Sequence, residues 1–232
     1  MKSNFLNGIN VFCPENPSSL VNFIIDKKKI LVAINAEKIL HSNEKVKKII
    51  NSNIGYPDGM GAVMGLRKKG LNKAIKIPGC KFWLELISEC YMKKTFYLIG
   101  SKQNVIEQTV KQLKKQFHSI NILNYRNGYL KSKKDKDDLI DDIKLRKPDV
   151  IFVATGSPNQ EYLMYELQKN YKAIYLGLGG SFDAYIGNVK LAPKFWIDYN
   201  LEWLFRLIQE PKRIKRQVHL VRFMILLYFN KL

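Results

Sequence analysis

Three turns hold the residues best suited to chemistry. In Gly55-Tyr-Pro-Asp-Gly-Met-Gly a single carboxylate, Asp58, sits in a tight Pro/Gly turn that leads into a helical stretch, Ala62 to Lys69. At the mouth of a cleft, partial desolvation would raise its pKa toward that of a useful general base. The same residues also read as an ordinary β-turn in which Asp58 caps a helix. The second turn, Ala154-Thr-Gly-Ser-Pro-Asn-Gln-Glu, brings Gly156, hydroxyls and the amide of Gln160 to a helix N-terminus, where free backbone N–H groups suit an anion or a sugar. Read plainly, it is a capping sequence with Ser157 or Asn159 as N-cap, and Gln160 and Glu161 merely favour the helix dipole. In the third, Gly177-Leu-Gly-Gly-Ser-Phe-Asp, Gly179 and Gly180 let backbone approach a nucleotide or pyrophosphate closely. The dinucleotide spacing GxGxxG is broken there, because Phe182 stands where the last Gly would fall, and no Walker A pattern occurs.

Metal chemistry finds little support. Asp135-Lys-Asp137 matches a DxD triplet but lies inside a lysine-flanked charge run, Lys131 to Asp142, with no apolar strand leading into it. His41, His118 and His219 share no ligand spacing, and Cys13, Cys80 and Cys90 lack CxxC spacing and are odd in number. Neither a metal, a cofactor nor a disulfide framework is expected, and a reducing compartment fits.

The elements that must position these turns alternate. Apolar runs at Ile30 to Ile34, Thr95 to Ile99, Ile120 to Leu123, Val150 to Ala154 and Ala173 to Leu178 predict strands. Apolar residues at three- and four-residue spacings predict helices over Glu37 to Ile50, Lys81 to Met92, Val105 to Phe117, Lys136 to Leu145 and Gln160 to Lys169. The pattern is that of an α/β, Rossmann-like domain with a mainly parallel sheet and flanking helices, expected over residues 1–192. In such a sheet ligands sit beyond the carboxyl ends of the strands, which marks the turns at Asn35, Gly100, Gly156 and Gly179.

A chain of 232 residues, 46% hydrophobic, is ample for one large core. Its formal charge of +19 favours anionic partners: nucleic acid, acidic lipid or phosphorylated substrates. Met1 to Asn10 is mixed polar, which argues against a secretory signal, and no uncharged apolar run reaches the length of a spanning helix. After Pro193 the pattern turns helical and aromatic, then basic over Pro211 to Gln217, then apolar over Val218 to Leu232. From Arg206 onward seven Lys or Arg face one acid, Glu210, a formal +6. Residues 193–232 therefore read as a helical appendage suited to an anionic membrane surface. The alternative is that the apolar end packs back on the domain or meets a second copy in a homo-oligomer.

Taken in order, Asn35-Ala-Glu, Tyr56-Pro-Asp-Gly-Met-Gly, Ile77-Pro-Gly, Phe96-Tyr-Leu-Ile-Gly, Asn127-Gly-Tyr, Gly156-Ser-Pro-Asn-Gln-Glu, Gly177-Leu-Gly-Gly-Ser-Phe-Asp, Ala192-Pro, Leu201-Glu-Trp-Leu-Phe-Arg-Leu and Glu210-Pro-Lys-Arg resemble the WecG/TagA/CpsF glycosyltransferases. The resemblance covers roughly residues 30–217. It implies an inverting, metal-independent transfer of a sugar, typically of the N-acetylmannosamine type, from a UDP-sugar to a polyprenyl-diphosphate-linked acceptor. That places the chain peripherally on the inner face of a bacterial plasma membrane. By the same resemblance Asp58 is the base, Tyr129 and Asp183 line the uridine site, and Gln160 contacts sugar or phosphate. Arg206, Arg213 and Arg216 form a cationic clamp, a task for which the planar guanidinium fork is suited. Many relatives carry Thr two residues before the Asn of the first motif, where this chain has Ala33, so a hydroxyl contact is missing or replaced. A basic nucleic-acid-binding protein would share the charge and show strongly salt-dependent binding, but it leaves the Pro-Asp-Gly and glycine turns unexplained, so no nucleic acid is expected.

Overall fold

A computed structural model describes residues 1–190, 192–193, 195–196, 199, 201–209, 214–229 and 231, without the side chains of 206 and 214–218. Eight strands among the described residues form one sheet: β1 Ser3–Leu6, β2 Ile9–Phe12, β3 Ile30–Ile34, β4 Ile54–Pro57, β5 Thr95–Gly100, β6 Asn121–Arg126, β7 Val150–Ala154 and β8 Ile174–Gly177. Their spatial order is β1-β2-β4-β3-β8-β7-β5-β6, and every pairing except the β1/β2 hairpin is parallel. The Rossmann-like α/β expectation holds.

The interior strands read as nearly unbroken apolar runs because both faces are covered. Alternate side chains part cleanly between two cores. Val32, Ile99, Val153 and Tyr175 pack toward α2 Ala36–His41, α3 Glu44–Asn51, α4 Met60–Lys68, α7 Lys133–Arg146 and α8 Asn159–Asn170. Leu31, Leu98, Phe152 and Leu176 pack toward α1 Pro17–Ile24, α5 Gly79–Cys90, α6 Gln103–Gln116 and the short α9 Ser181–Tyr185. In the second core the fully buried Trp83 meets Phe152, Phe182 and Tyr185 edge to face, with centroids 5.2–5.7 Å apart. Each such pair is worth about 0.5–1.5 kcal/mol beyond burial. Phe182 therefore breaks the glycine spacing for a reason: its ring anchors α9.

The five expected strands and the crossover helices are present, with ends shifted by a few residues. Three strands, β1, β2 and β4, and two helices, α1 and α9, lie outside the pattern expected from the sequence. β1, β2 and β4 are only four residues long, too short for alternation to stand out, and Gly55 interrupts β4. That glycine is required by packing, since a Cβ there would lie 2.8 Å from the carbonyl oxygen of Asn10. The single helix expected over Glu37 to Ile50 is two. Ser42 turns extended, and Asn43 opens α3 by accepting from Val46 N–H at 3.0 Å, a cap that overrides the continuous apolar period.

Beyond α9 the described chain forms α10 Glu202–Gln209 and α11 Ile214–Tyr228. Leu220, Phe223 and Leu227, spaced three and four apart, turn one face of α11 onto α2 and α4, with Phe223 fully buried. Gly61 makes room: a Cβ there would lie 3.0 Å from Ala36 Cβ and 3.3 Å from Phe223 Cε1. Lys68 Nζ donates to the carbonyls of Leu227 at 2.5 Å and Tyr228 at 2.8 Å, neutralising orphan acceptors at the negative end of α11. His41 Nε2 and His219 Nδ1 meet at 2.8 Å. The tail thus shares the domain's core at its far end. No helix among the described residues is long and apolar enough to cross a membrane.

Two outcomes follow from this docking. Gly61→Val should raise amide hydrogen exchange in 219–228 by about tenfold or more while leaving β5 and β7 protected; unchanged protection of the tail would contradict the packing. Desolvation, then the neighbouring His219 and Arg222, lowers the pKa of His41, with Glu37 opposing. A lowered folded pKa means that the undocked ring takes up the proton first. Docking is therefore strongest above the ordinary value of 6.5 and weakens as pH falls through it. Protection factors in 219–228, taken relative to the intrinsic exchange rate at each pH, should accordingly fall between about pH 7 and pH 5, and a flat protection profile would remove the histidine pair from the docking.

Candidate functional site

The sequence-predicted residues other than the three arginines gather at the carboxyl ends of the strands, in three groups along one edge. The first lies at β3 and β4. Ile34 pairs with Pro57 in the ladder, and Asp58 N–H continues it by donating to the Ile34 carbonyl at 2.9 Å. This sets Asp58 beside Asn35, whose Cβ lies 3.3 Å from where a Gly59 side chain would begin. Asn35 is the N-cap of α2 and accepts from Lys38 N–H at 2.9 Å.

Asp58 does not cap the helix that follows it. Gly59 is the N-cap of α4 and makes no side-chain cap bond. Instead Asp58 Oδ1 accepts from Gly79 N–H, the first residue of α5, at 2.6 Å. The carboxylate is thereby held at the positive end of a twelve-residue helix, in a half-buried position. Glycine at position 79 keeps this corner uncrowded, because a Cβ would lie 3.1 Å from Tyr56 Oη and 3.5 Å from Asp58 Oδ1. Tyr56 itself is fully buried, and desolvation first, then the charge of Asp58, hold its pKa well above the usual range. It stays a neutral phenol, with no partner for its hydroxyl among the described residues.

The third group lies at β5, β6 and α9, on the far side of β8 and β7. Gly100 adopts φ +141°, and a Cβ there would lie 2.4 Å from the Ala154 carbonyl oxygen, so only glycine fits. Ser101 follows at φ +54°, donating its N–H to the Ala154 carbonyl at 3.1 Å and accepting from Gly128 N–H at 3.0 Å. Its hydroxyl donates to Asp183 Oδ2 at 2.7 Å, while Asn188 Nδ2 approaches Oδ1 at 3.3 Å. Asp183 is thus oriented from both sides, on a helix pinned by Phe182. Tyr129 stands more than half exposed in the loop after β6, where Asn127 Oδ1 accepts from its N–H at 3.0 Å.

Between these groups run the bare backbones of Gly156, Gly179 and Gly180, around whose missing side chains no atom lies within 4 Å. Gln160 is buried here. Its Oε1 accepts from Gly179 N–H at 2.9 Å, and its Nε2 lies 3.3 Å from Glu161 Oε1. The capping reading of this turn is corrected: Pro158 is the N-cap of α8 and makes no side-chain bond, and Ser157 Oγ instead receives Lys38 Nζ at 3.1 Å. Glu161 is no surface partner of the helix dipole but fully buried, paired with Lys38 at 2.5 Å. Four strand spacings of about 4.8 Å separate β4 from β5, so the edge is roughly 19 Å long, the scale of an extended substrate rather than a compact one.

Several contributors were missed in the sequence. Ser101 and Gly128 acquire meaning only when β5, β6 and β7 meet, and Lys38 and Glu161 are 123 positions apart. Asp135, by contrast, is spent in the capping box of α7 with Ser132 and in a 2.9 Å pair with Arg126, which accounts for the DxD triplet. Of the arginines, Arg213 lies outside the described residues, as do the side chains of Arg206 and Arg216. The helix carrying Arg206 is tethered beside the Asp58 loop by an ion pair between Glu202 and Lys76, next to Ile77-Pro-Gly.

Comparison with known families matches the model of the glycosyl transferase WecG/TagA/CpsF family to residues 8–232, nearly the whole chain. The chain belongs to the WecG/TagA/CpsF glycosyltransferase family and is a transferase of cell-surface polymer synthesis.

Proposed function

We propose that the protein transfers a sugar of the N-acetylmannosamine type from a UDP-sugar to a polyprenyl-diphosphate-linked GlcNAc-type acceptor, with inversion and without a metal or other cofactor, in teichoic acid or other surface polysaccharide synthesis. The observation that carries this reading is the geometry of Asp58, fixed by Gly79 N–H at the acceptor end of the edge and separated by three glycine backbones from Tyr129 and Asp183. In a single displacement the acceptor hydroxyl oxygen attacks the anomeric carbon from the face opposite the diphosphate. Asp58 takes the hydroxyl proton, and the bond to the diphosphate oxygen breaks with its electron pair leaving on UDP. Its orientation suits the task, because a base acts only within hydrogen-bond reach of the proton it removes.

The departing diphosphate gains charge, and preorganised donors lower that cost. Backbone N–H groups of the Gly156 and Gly179–Gly180 turns, with Arg206, Arg213 and Arg216, take this role, while Asp183 and Tyr129 hold the uridine. Ala33 removes a hydroxyl beside Asn35, and UDP-N-acetylmannosaminuronic acid or UDP-glucose, in common-antigen or capsule synthesis, is the alternative donor. Support for work at the inner face of the plasma membrane comes from the outer face of α11. There Val221, Ile225, Tyr228 and Phe229 are exposed opposite the docked Leu220, Phe223 and Leu227. An apolar face beside a basic segment suits an anionic bilayer, where a polyprenyl acceptor resides.

A panel of UDP-sugars incubated with a diphospholipid-linked GlcNAc analogue and read by mass should yield one transferred N-acetylhexosamine; a transferred hexose or N-acetylhexosaminuronic acid would favour the alternative donors instead. Asp58→Asn should lower its rate by about two to four orders of magnitude while leaving UDP affinity nearly unchanged. Near-normal turnover of that variant would eliminate Asp58 as the base. Ile225→Glu with Phe229→Glu should abolish co-sedimentation with phosphatidylglycerol vesicles and preserve UDP binding. Undiminished co-sedimentation would rule out α11 as the membrane contact.

A further inference from the structure

The pair formed by Lys38 and Glu161 has no part in the scheme above, yet it is the most deeply buried ion pair among the described residues: the side chains are 10% and 0% exposed. It joins α2, which starts at Asn35, to α8, which starts in the Gly156 turn, across the end of β8. Energetically it is a poor investment for stability alone. Replacing a buried ion pair by apolar groups of similar volume is commonly neutral or favourable. Here the deficit is larger, since Glu161 Oε2 is buried and finds no partner among the described residues.

What the pair does locally is polarise one amide. The carboxamide of Gln160 is nearly symmetric in shape, so electrostatics decide which end faces which way. Glu161 Oε1 lies 3.3 Å from Nε2, and Gly179 N–H lies 2.9 Å from Oε1. Rotating the amide by half a turn would set oxygen against carboxylate and N–H against N–H. Lys38 Nζ donates to the same Glu161 Oε1 at 2.5 Å, which fixes where that oxygen sits beside Nε2. Packing closes the remaining freedom: a Cβ on Gly177 would lie 2.7 Å from Gln160 Nε2 and 2.9 Å from Met164 Cε. The amide in turn holds Gly179 at φ +57°, the left-handed conformation that starts the turn into α9. No described group accepts from the N–H of Gly180, the next residue.

We propose that Lys38 and Glu161 are positioning residues for the donor: they fix the orientation of Gln160, which fixes Gly179 and presents the backbone of the Gly179–Gly180 turn to the diphosphate of a nucleoside-diphosphate sugar. This rests on the reading of that turn as the diphosphate contact. The chain of influence is short, three side-chain contacts from α2 to the turn, and it predicts an effect on nucleotide affinity separable from an effect on folding.

The test compares two charge-neutral double variants of the full chain. Lys38→Met with Glu161→Gln keeps a carbonyl acceptor for Gln160 Nε2, whereas Lys38→Met with Glu161→Leu removes it. UDP affinity is measured by calorimetry and stability by thermal melting. The first should bind UDP within about threefold of wild type and the second about tenfold or more weakly, the scale of one misplaced hydrogen bond, at similar melting temperatures. If the leucine variant does not fold, Glu161→Asp replaces it, keeping the charge beside Lys38 but withdrawing the oxygen from Gln160; its UDP affinity should fall about fivefold or more. Equal UDP affinity in the two double variants, or an unchanged affinity in Glu161→Asp, overturns the proposal. No UDP binding by the wild-type chain overturns the donor reading and this inference with it, while binding indifferent to the pair overturns this inference alone.

Discussion

A parallel sheet covered on both faces has nowhere to keep polar chemistry except at its ends. Strands β3, β8, β7 and β5 are apolar on alternate sides toward two separate cores, so any unpaired carboxylate or hydroxyl along them would be stranded away from water. The ladder of backbone hydrogen bonds sets the strand ends level with one another. Each loop at the carboxyl edge therefore begins beside its neighbour, and residues remote in the chain become adjacent: Asp58 beside Asn35, Ser101 beside Ala154 and Gly128. Everything the site does depends on that ladder.

The loops at this edge are joined to one another through backbone rather than through long side chains. Gly100 must pass the Ala154 carbonyl, Gly128 closely approaches Gly100, and Gly79 leaves room for Tyr56 and Asp58. Contacts of this kind leave no slack of rotamers, which is how loops acquire the precision that catalysis demands of them. Larger anchors fix the frame behind them. Phe182 under Trp83 holds the helix that carries Asp183, and the Gly79 end of α5 holds Asp58, so both ends of the edge hang on the one helix that contains Trp83. The tail joins the same frame from the opposite core, since α11 rests on α2 and α4, the helices that open at Asn35 and Gly59.

Much of this was legible in the residues themselves. A continuous apolar run such as Val150 to Ala154 and a three-to-four period such as that of α6 arise from local geometry, so the α/β class and most crossovers could be read directly. The turns with Asp58, Gly156 and Gly179 stood out because their residue types are poor choices for anything but a turn. What escaped was short or non-local. The four-residue β1, β2 and β4 carry too few positions for a period, and the Asn43 cap divides a helix whose apolar pattern runs on unbroken.

The sequence by itself determined the family, the layered class and the set of polar residues that must lie outside the cores, because these follow from composition, period and motif order along the chain. Only the tertiary structure decided how those residues act on one another. Asp58 answers to Gly79 rather than to its own helix, Gln160 faces inward to Gly179 rather than outward, and Glu161 is a buried partner of Lys38 rather than a helix-end charge. The reason is physical: a hydrogen bond or ion pair depends on distance in space, and the sheet brings together groups whose separation in sequence gives no sign of it.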